Sequence, residues 1–169
     1  MRSDDVTLRA WQVADVDALL RYANKRRIWL NLRDRFPHPY TRADADQWIE
    51  HSAKDHPVTQ FAIDLAGEAI GGIGFERLPD VHRMTAEIGY WIGEPFWGKG
   101  VATTAVIEAS EYGFATLELA RIQAAVFEWN GASMRVLEKA GFVLEGRLRR
   151  SVLKDGRLID SFIYARVRG

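Results

Sequence analysis

The sequence predicts an α+β fold built on a mixed sheet of about seven strands. Three observations lead there. Strand-like runs follow one another between turn signals in the first half. Strand and helix patterns then alternate from about residue 85 to 140. The chain ends on two long runs joined by Asp155-Gly156, a hairpin signal.

Residues 6–11, Val-Thr-Leu-Arg-Ala-Trp, alternate apolar and polar and predict the first strand. Over 14–23, Val16, Leu19, Leu20 and Ala23 share one helical face. Thr41, with Asp44 three residues on, makes a capping-box-like start for a second helix carrying Trp48 and Ile49. Residues 58–65 and 69–78 are strand-like around Ala66-Gly67-Glu68, and 85–92 supplies a further strand after Pro79-Asp80-Val81-His82, so three antiparallel strands in succession are expected. From about 98 to 117, Val101, Ala105, Val106, Ala109, Tyr112 and Gly113 fall at helical spacing. Residues 122–127 then read as a strand and 132–140 as a short helix stopped by Gly141. Residues 142–151 and 158–167 form the last hairpin. No repeat, linker or low-complexity segment divides the chain, and one domain over residues 1–169 is expected.

Composition narrows the function. The chain has 169 residues, enough for one domain with a sizeable core. Its 47% hydrophobic and 27% charged residues are ordinary for a soluble globular protein, and no apolar run approaches the length of a membrane span. Met1-Arg2-Ser3-Asp4-Asp5 lacks the apolar core of a signal peptide, and there is no cysteine for disulfides or thiolate metal sites, so a cytoplasmic location is expected. Lys plus Arg (23) balances Asp plus Glu (23), so the field that draws a chain to nucleic acid or an anionic membrane is missing and neither partner is expected. Any phosphate bound here must be held locally.

The stretch EPFWGKGVATTAV, residues 94–106, offers such a place. A glycine-interrupted turn, Trp97-Gly98-Lys99-Gly100, runs into a helix start that has no Asp or Glu in its first turns. A helix N-terminus leaves backbone N–H groups unpaired and carries about half a positive charge, and glycines let the main chain approach a bulky anion. The alternative is a tight strand-to-helix turn in which Thr103 and Thr104 bond the backbone. The spacing matches neither G-x-x-x-x-G-K-[ST] nor a G-x-G-x-x-G opening an N-terminal βαβ unit.

AEIGYWIGEPFWGKGVATTAV followed by NGASMRVLEKAGFVLEG resembles the GNAT superfamily of acyl-CoA-dependent N-acetyltransferases. More narrowly, the chain resembles the branch of ribosomal-protein N-terminal acetyltransferases known as RimJ and RimL, over nearly its whole length. The resemblance implies a GNAT-like twisted sheet, antiparallel through the first four strands and parallel at a central splay, with helices on both faces. It implies acetyl-CoA as co-substrate, its pyrophosphate held by Trp97, Gly98, Lys99, Gly100, Val101, Ala102 and Thr103. This matches the family's [Q/R]-x-x-G-x-[G/A] with tryptophan at the first position, a departure shared with this branch. The pantetheine arm would pair with backbone of Tyr90, Trp91 and Ile92 in the cleft between the diverging strands, as a peptide adds to a sheet edge. Asn130 would bond the arm, although an asparagine there also serves as a plain helix cap.

Amine acetylation needs a base for the attacking amine and an acid for the departing thiolate. Glu87 alternates with Met84, Ala86, Ile88 and Tyr90 and so faces away from them, on the strand the family places beside the thioester. It is the candidate base, the alternative being a half-exposed glutamate paired with an arginine. The tyrosine that many members carry seven residues after the asparagine is Leu137 here. Ser133 matches the serine that RimL-like members place near the sulfur, and is otherwise a first-turn serine bonding backbone. In NLRDRFPHPYT, Arg33, Phe36, His38 and Tyr40 are candidate acceptor-binding residues on a segment stiffened by Pro37 and Pro39. Alternatively, Phe36 and Tyr40 are core and the arginines solvated. No His/Asp/Glu cluster has metal-ligand spacing, and no metal is expected. The expected activity is acetyl transfer to a primary amine by direct attack, with no cysteine to carry an acyl group. The acceptor is a peptide N-terminus or a small amine such as a polyamine, amino acid or antibiotic. A non-catalytic acyl-CoA-binding module is the remaining alternative, and a homodimer is left open.

Overall fold

Local chemistry sets the element boundaries in the computed structural model, which describes residues 5–169. The N-terminal run that lacks an apolar core therefore lies, except for Asp5, outside the described residues. The order is β1 (Val6–Ala10), α1 (Val16–Ala23), α2 (Arg26–Trp29), α3 (Arg42–Ser52), β2 (Gln60–Leu65), β3 (Glu68–Arg77), β4 (Thr85–Ile92), α4 (Val101–Ala115), β5 (Arg121–Phe127), α5 (Gly131–Lys139), β6 (Val143–Lys154) and β7 (Arg157–Val167). Thr41 caps α3 as expected, its hydroxyl accepting from the Asp44 N–H at 3.3 Å while its own N–H donates to the Asp44 carboxylate at 2.7 Å. The β2–β3 and β6–β7 turns place Ala66-Gly67 and Asp155-Gly156 at positive φ, the geometry whose twist matches a tight hairpin. Two elements differ from expectation. The four-residue α2 stands in what the sequence shows only as a loop, and β6 continues to Lys154 through a register shift between Leu148 and Val152.

The strands form one seven-stranded sheet in the order β1-β2-β3-β4-β5-β7-β6. It is antiparallel through the first four strands, and β4 lies parallel to β5, as expected. Apolar residues sort to its two faces. Ala86, Ile88 and Ile92 of β4 join Val101, Ala105, Val106 and Ala109 of α4 and Leu137 of α5 in the larger core cluster. Val16, Leu19 and Ala23 of α1 pack with Ala45 and Ile49 of α3 in a second cluster, against which Trp91 also lies. Among the described residues, no helix is long and apolar enough to cross a membrane, and no group of three or more His, Asp or Glu side chains could hold a metal ion.

The feature that positions the site is where pairing stops. β4 and β5 are in register only from Thr85–Arg121 to Glu87–Gln123, whereas β5 stays paired to β7 from Arg121 to Phe127. Beyond Glu87 the two central strands therefore separate into a gap. Gly93 N–H donates to the Ile70 carbonyl and Leu78 N–H to that of Thr85, so the odd-numbered residues of β4 bond toward β3. Antiparallel alternation then turns the peptide groups of Ile88, Tyr90 and Ile92 toward the gap.

Candidate active site

The start of α4 leaves backbone donors free. Gly98 and Gly100 take φ of +72° and +80°, left-handed values that glycine adopts at no steric cost. Gly100 caps the helix without any side-chain hydrogen bond, and the first turn contains no acidic residue. The N–H groups of Val101, Ala102 and Thr103 thus lack intrahelical acceptors at the positive end of a fifteen-residue helix, with Lys99 alongside. Trp97 fixes the approach to this turn. Its indole N–H donates to the Ile92 carbonyl at 2.7 Å, and the Arg27 guanidinium lies 4.7 Å above its ring while pairing with Glu94 at 2.9 Å.

The gap itself offers backbone from Tyr90 and from the N–H of Ile92, whose carbonyl is engaged by Trp97. Trp91 departs from expectation. Its peptide groups face β3 by the alternation of the ladder, and its ring packs edge-on against Phe36 with centroids 5.9 Å apart.

Glu87 and Tyr90 occupy opposite faces of β4 at the split. Glu87 is one-fifth exposed and ion-paired with Arg33, so the pairing that the sequence left as an alternative is present. On the other face the Tyr90 hydroxyl lies 2.6 Å from the Ser133 hydroxyl. Burial pushes the Tyr90 phenol up to about 12, partly offset by the bond from Ser133, so it remains a proton donor throughout the neutral range. Asn130 caps α5 by accepting the Ser133 N–H at 3.2 Å, which fixes the position of that serine. The Tyr90 hydroxyl was not anticipated from sequence, and neither was Gly89. Gly89 is exposed between Glu87 and Trp91 on the same face, and a Cβ built there would meet nothing within 4 Å. A glycine inside a strand was the available signal, because it marks close approach by another group.

The segment between α1 and α3 divides. Arg33 reaches both Glu87 and Glu76, and Arg35 bonds Glu76 at 2.7 Å. Tyr40 corrects the expectation of an acceptor-binding rim. It is 5% exposed, packs on Phe36 at 5.2 Å, and burial holds its phenol far above the usual tyrosine range. The physical reason is the second core cluster, which needs Tyr40 and Phe36 to cover Ala45 and Ile49. His38 stacks on Trp29, with ring centroids 5.9 Å apart. The segment is tied to the β6–β7 hairpin by Arg26 to Asp155 at 2.6 Å and by the buried Lys154, whose ammonium bonds Asp34 at 2.7 Å and lies 3.6 Å above the Trp29 ring. An open cavity of about 420 Å³ lies between α2, Trp97, Trp129 and that hairpin.

Comparison with known proteins identifies the fold and the family. Residues 5–143 match the acetyltransferase (GNAT) domain family. The chain is 33% identical over 167 residues to an uncharacterized N-acetyltransferase, p20, of Bacillus licheniformis, covering 96% of this chain and 93% of that one. Among solved structures it superposes on Mycobacterium smegmatis RimJ in complex with a CoA-disulfide at a TM-score of 0.84 and 26% identity, covering 96% and 81% of the two chains. It also superposes on Vibrio cholerae spermidine N-acetyltransferase in complex with CoA and spermine, at 0.82 and 26%, covering 97% and 96%. Together with the split sheet and the uncapped glycine turn, these matches establish that the chain belongs to the GNAT family and is an acetyl-CoA-dependent N-acetyltransferase.

Proposed function

We propose that a primary amine attacks the thioester of acetyl-CoA directly in the gap between β4 and β5, with the pyrophosphate on the Gly98–Thr103 turn. Glu87 takes the ammonium proton from the acceptor on one face of the sheet. The neutral nitrogen bonds to the carbonyl carbon, the C–S bond breaks, and the nitrogen gives up its second proton to water to leave the amide. The thiolate takes a proton from the Tyr90–Ser133 hydroxyl pair on the other face, and solvent then reprotonates that pair. The observation that carries this reading is the placement of Glu87 and Tyr90 on opposite faces of one strand where that strand leaves its neighbour. Leu137, fully buried and without a hydroxyl, cannot act as the acid, and Tyr90 supplies that function from a different element. The acceptor is a primary amine, a protein N-terminus or a small molecule, and the open cavity of about 420 Å³ beside Trp97 and Trp129 has room for a small amine.

Thiol release from acetyl-CoA over a panel of peptides and small amines tests the reading. Initial rates varied in both substrates should give intersecting double-reciprocal lines. Parallel lines with an acetylated protein detected by mass would sink the direct attack.

Two substitutions probe the two faces. Tyr90→Phe should lower kcat by about tenfold, because a thiolate with a pKa near 8.5 leaves tolerably without a donor, and acetyl-CoA affinity should hold. Ser133→Ala should cost no more than that. An unchanged kcat in both variants would remove the acid. Gly89→Val should lower kcat/KM for the acceptor by about tenfold or more, equivalent to roughly 1.4 kcal/mol, by covering the floor beside Glu87. The fold should survive, since the added Cβ has open space. A Gly89→Val enzyme with wild-type kcat/KM would move the amine elsewhere.

A further inference from the structure

The open cavity between α2, Trp97, Trp129 and the β6–β7 hairpin contains two groups, Trp129 and Arg157, that acetyl transfer itself does not use. Leu30, Trp97 and Trp129 give it apolar walls, and Asn31 accepts the Trp129 indole N–H at 3.1 Å, which holds that ring in place. Most charges around it are matched: Arg27 with Glu94, Arg26 with Asp155, Lys154 with Asp34. Arg157, the first residue of β7, is different. Its guanidinium lies against the Trp129 ring, 5.5 Å from the centroid, and no carboxylate among the described residues pairs with it. A guanidinium stacked in this way keeps its N–H edge available for an anion. One stretch of chain connects the cavity to the base, because Arg27, Leu30 and Asn31 line the wall while Arg33 reaches Glu87.

We propose that the acceptor is an anionic primary amine with a flat apolar body. Its carboxylate or phosphate sits on Arg157, its body lies against Leu30, Trp97 and Trp129, and its amine points toward Glu87. This rests on the gap being the active site. A polyamine would meet an unneutralised cation in the wall and is disfavoured.

Thiol release with 4-(aminomethyl)benzoate, O-phosphotyramine, benzylamine and spermidine tests the assignment. The two anionic amines should show kcat/KM about tenfold or more above benzylamine, the better of them identifying the anion, with spermidine poorest. Arg157→Gln should cut kcat/KM for the anionic amines by about ten- to a hundredfold while leaving benzylamine and the KM of acetyl-CoA unchanged. Equal use of benzylamine and the anionic amines, or an equal loss for both in Arg157→Gln, overturns the inference and leaves acetyl transfer standing. If none of the four turns over, calorimetry of the anionic amines with the CoA-saturated protein decides. Binding that Arg157→Gln abolishes supports the site, and absent or indifferent binding overturns it, while the missing turnover counts separately against the transfer mechanism.

Discussion

Glu87→Gln should lower kcat by about two to four orders of magnitude with acetyl-CoA affinity nearly intact. The amide keeps the size of the side chain and leaves Arg33 its contact with Glu76, so the fold should lose little. A pair whose arginine is half exposed is worth about 0–1 kcal/mol. The defect should shrink as pH rises toward about 10, where an alkylamine acceptor is already neutral and a base has less to do. The Tyr90 phenol, pushed up to about 12 by burial, stays protonated across that range and does not contribute to the change. A defect that does not change with pH would make Glu87 a structural partner of Arg33.

Gly100→Val should weaken CoA binding by about a hundredfold or more, roughly 2.8 kcal/mol. Two effects act together. A β-branched residue is strained at a φ of +80°, and its side chain would stand beside the first free N–H groups of α4. The helix itself, buried along Val101, Ala105, Val106 and Ala109, should persist, as circular dichroism would show. Calorimetry giving unchanged affinity would remove the phosphate assignment from this turn.

What was legible in the sequence was what local chemistry decides. The glycines before Val101 and the missing acids after it are neighbours in sequence, so an anion site could be read without knowing the fold. Alternation along β4 likewise assigned Glu87 to one face. The splay that makes that face useful came only through the family resemblance, because it depends on β5, whose pairing partner is set by the whole sheet. Long-range contacts account for the rest. The hydroxyl of Tyr90 meets Ser133 across 43 residues of chain, and Arg33 meets Glu87 across 54. Tyr40 could be read from sequence either as a rim residue or as core, because its segment mixes aromatic and basic residues with two prolines. Its burial follows from Ala45 and Ile49 needing cover, and from its N–H donating to the Asn24 side chain at 2.9 Å. The helix α2 is only four residues long, too short to show a period.

The account turns on acid and base reaching one thioester from opposite faces of the split sheet, and a crystal structure of the protein with acetyl-CoA tests that most directly. It should show the pyrophosphate on the Gly98–Thr103 turn and the carbonyl carbon in the gap beside Gly89. The sulfur should lie within about 3.5 Å of the Tyr90 or Ser133 hydroxyl, with the acyl face open toward Glu87. A thioester lying wholly on one face of the sheet, with its sulfur beyond hydrogen-bond reach of both hydroxyls, would contradict it.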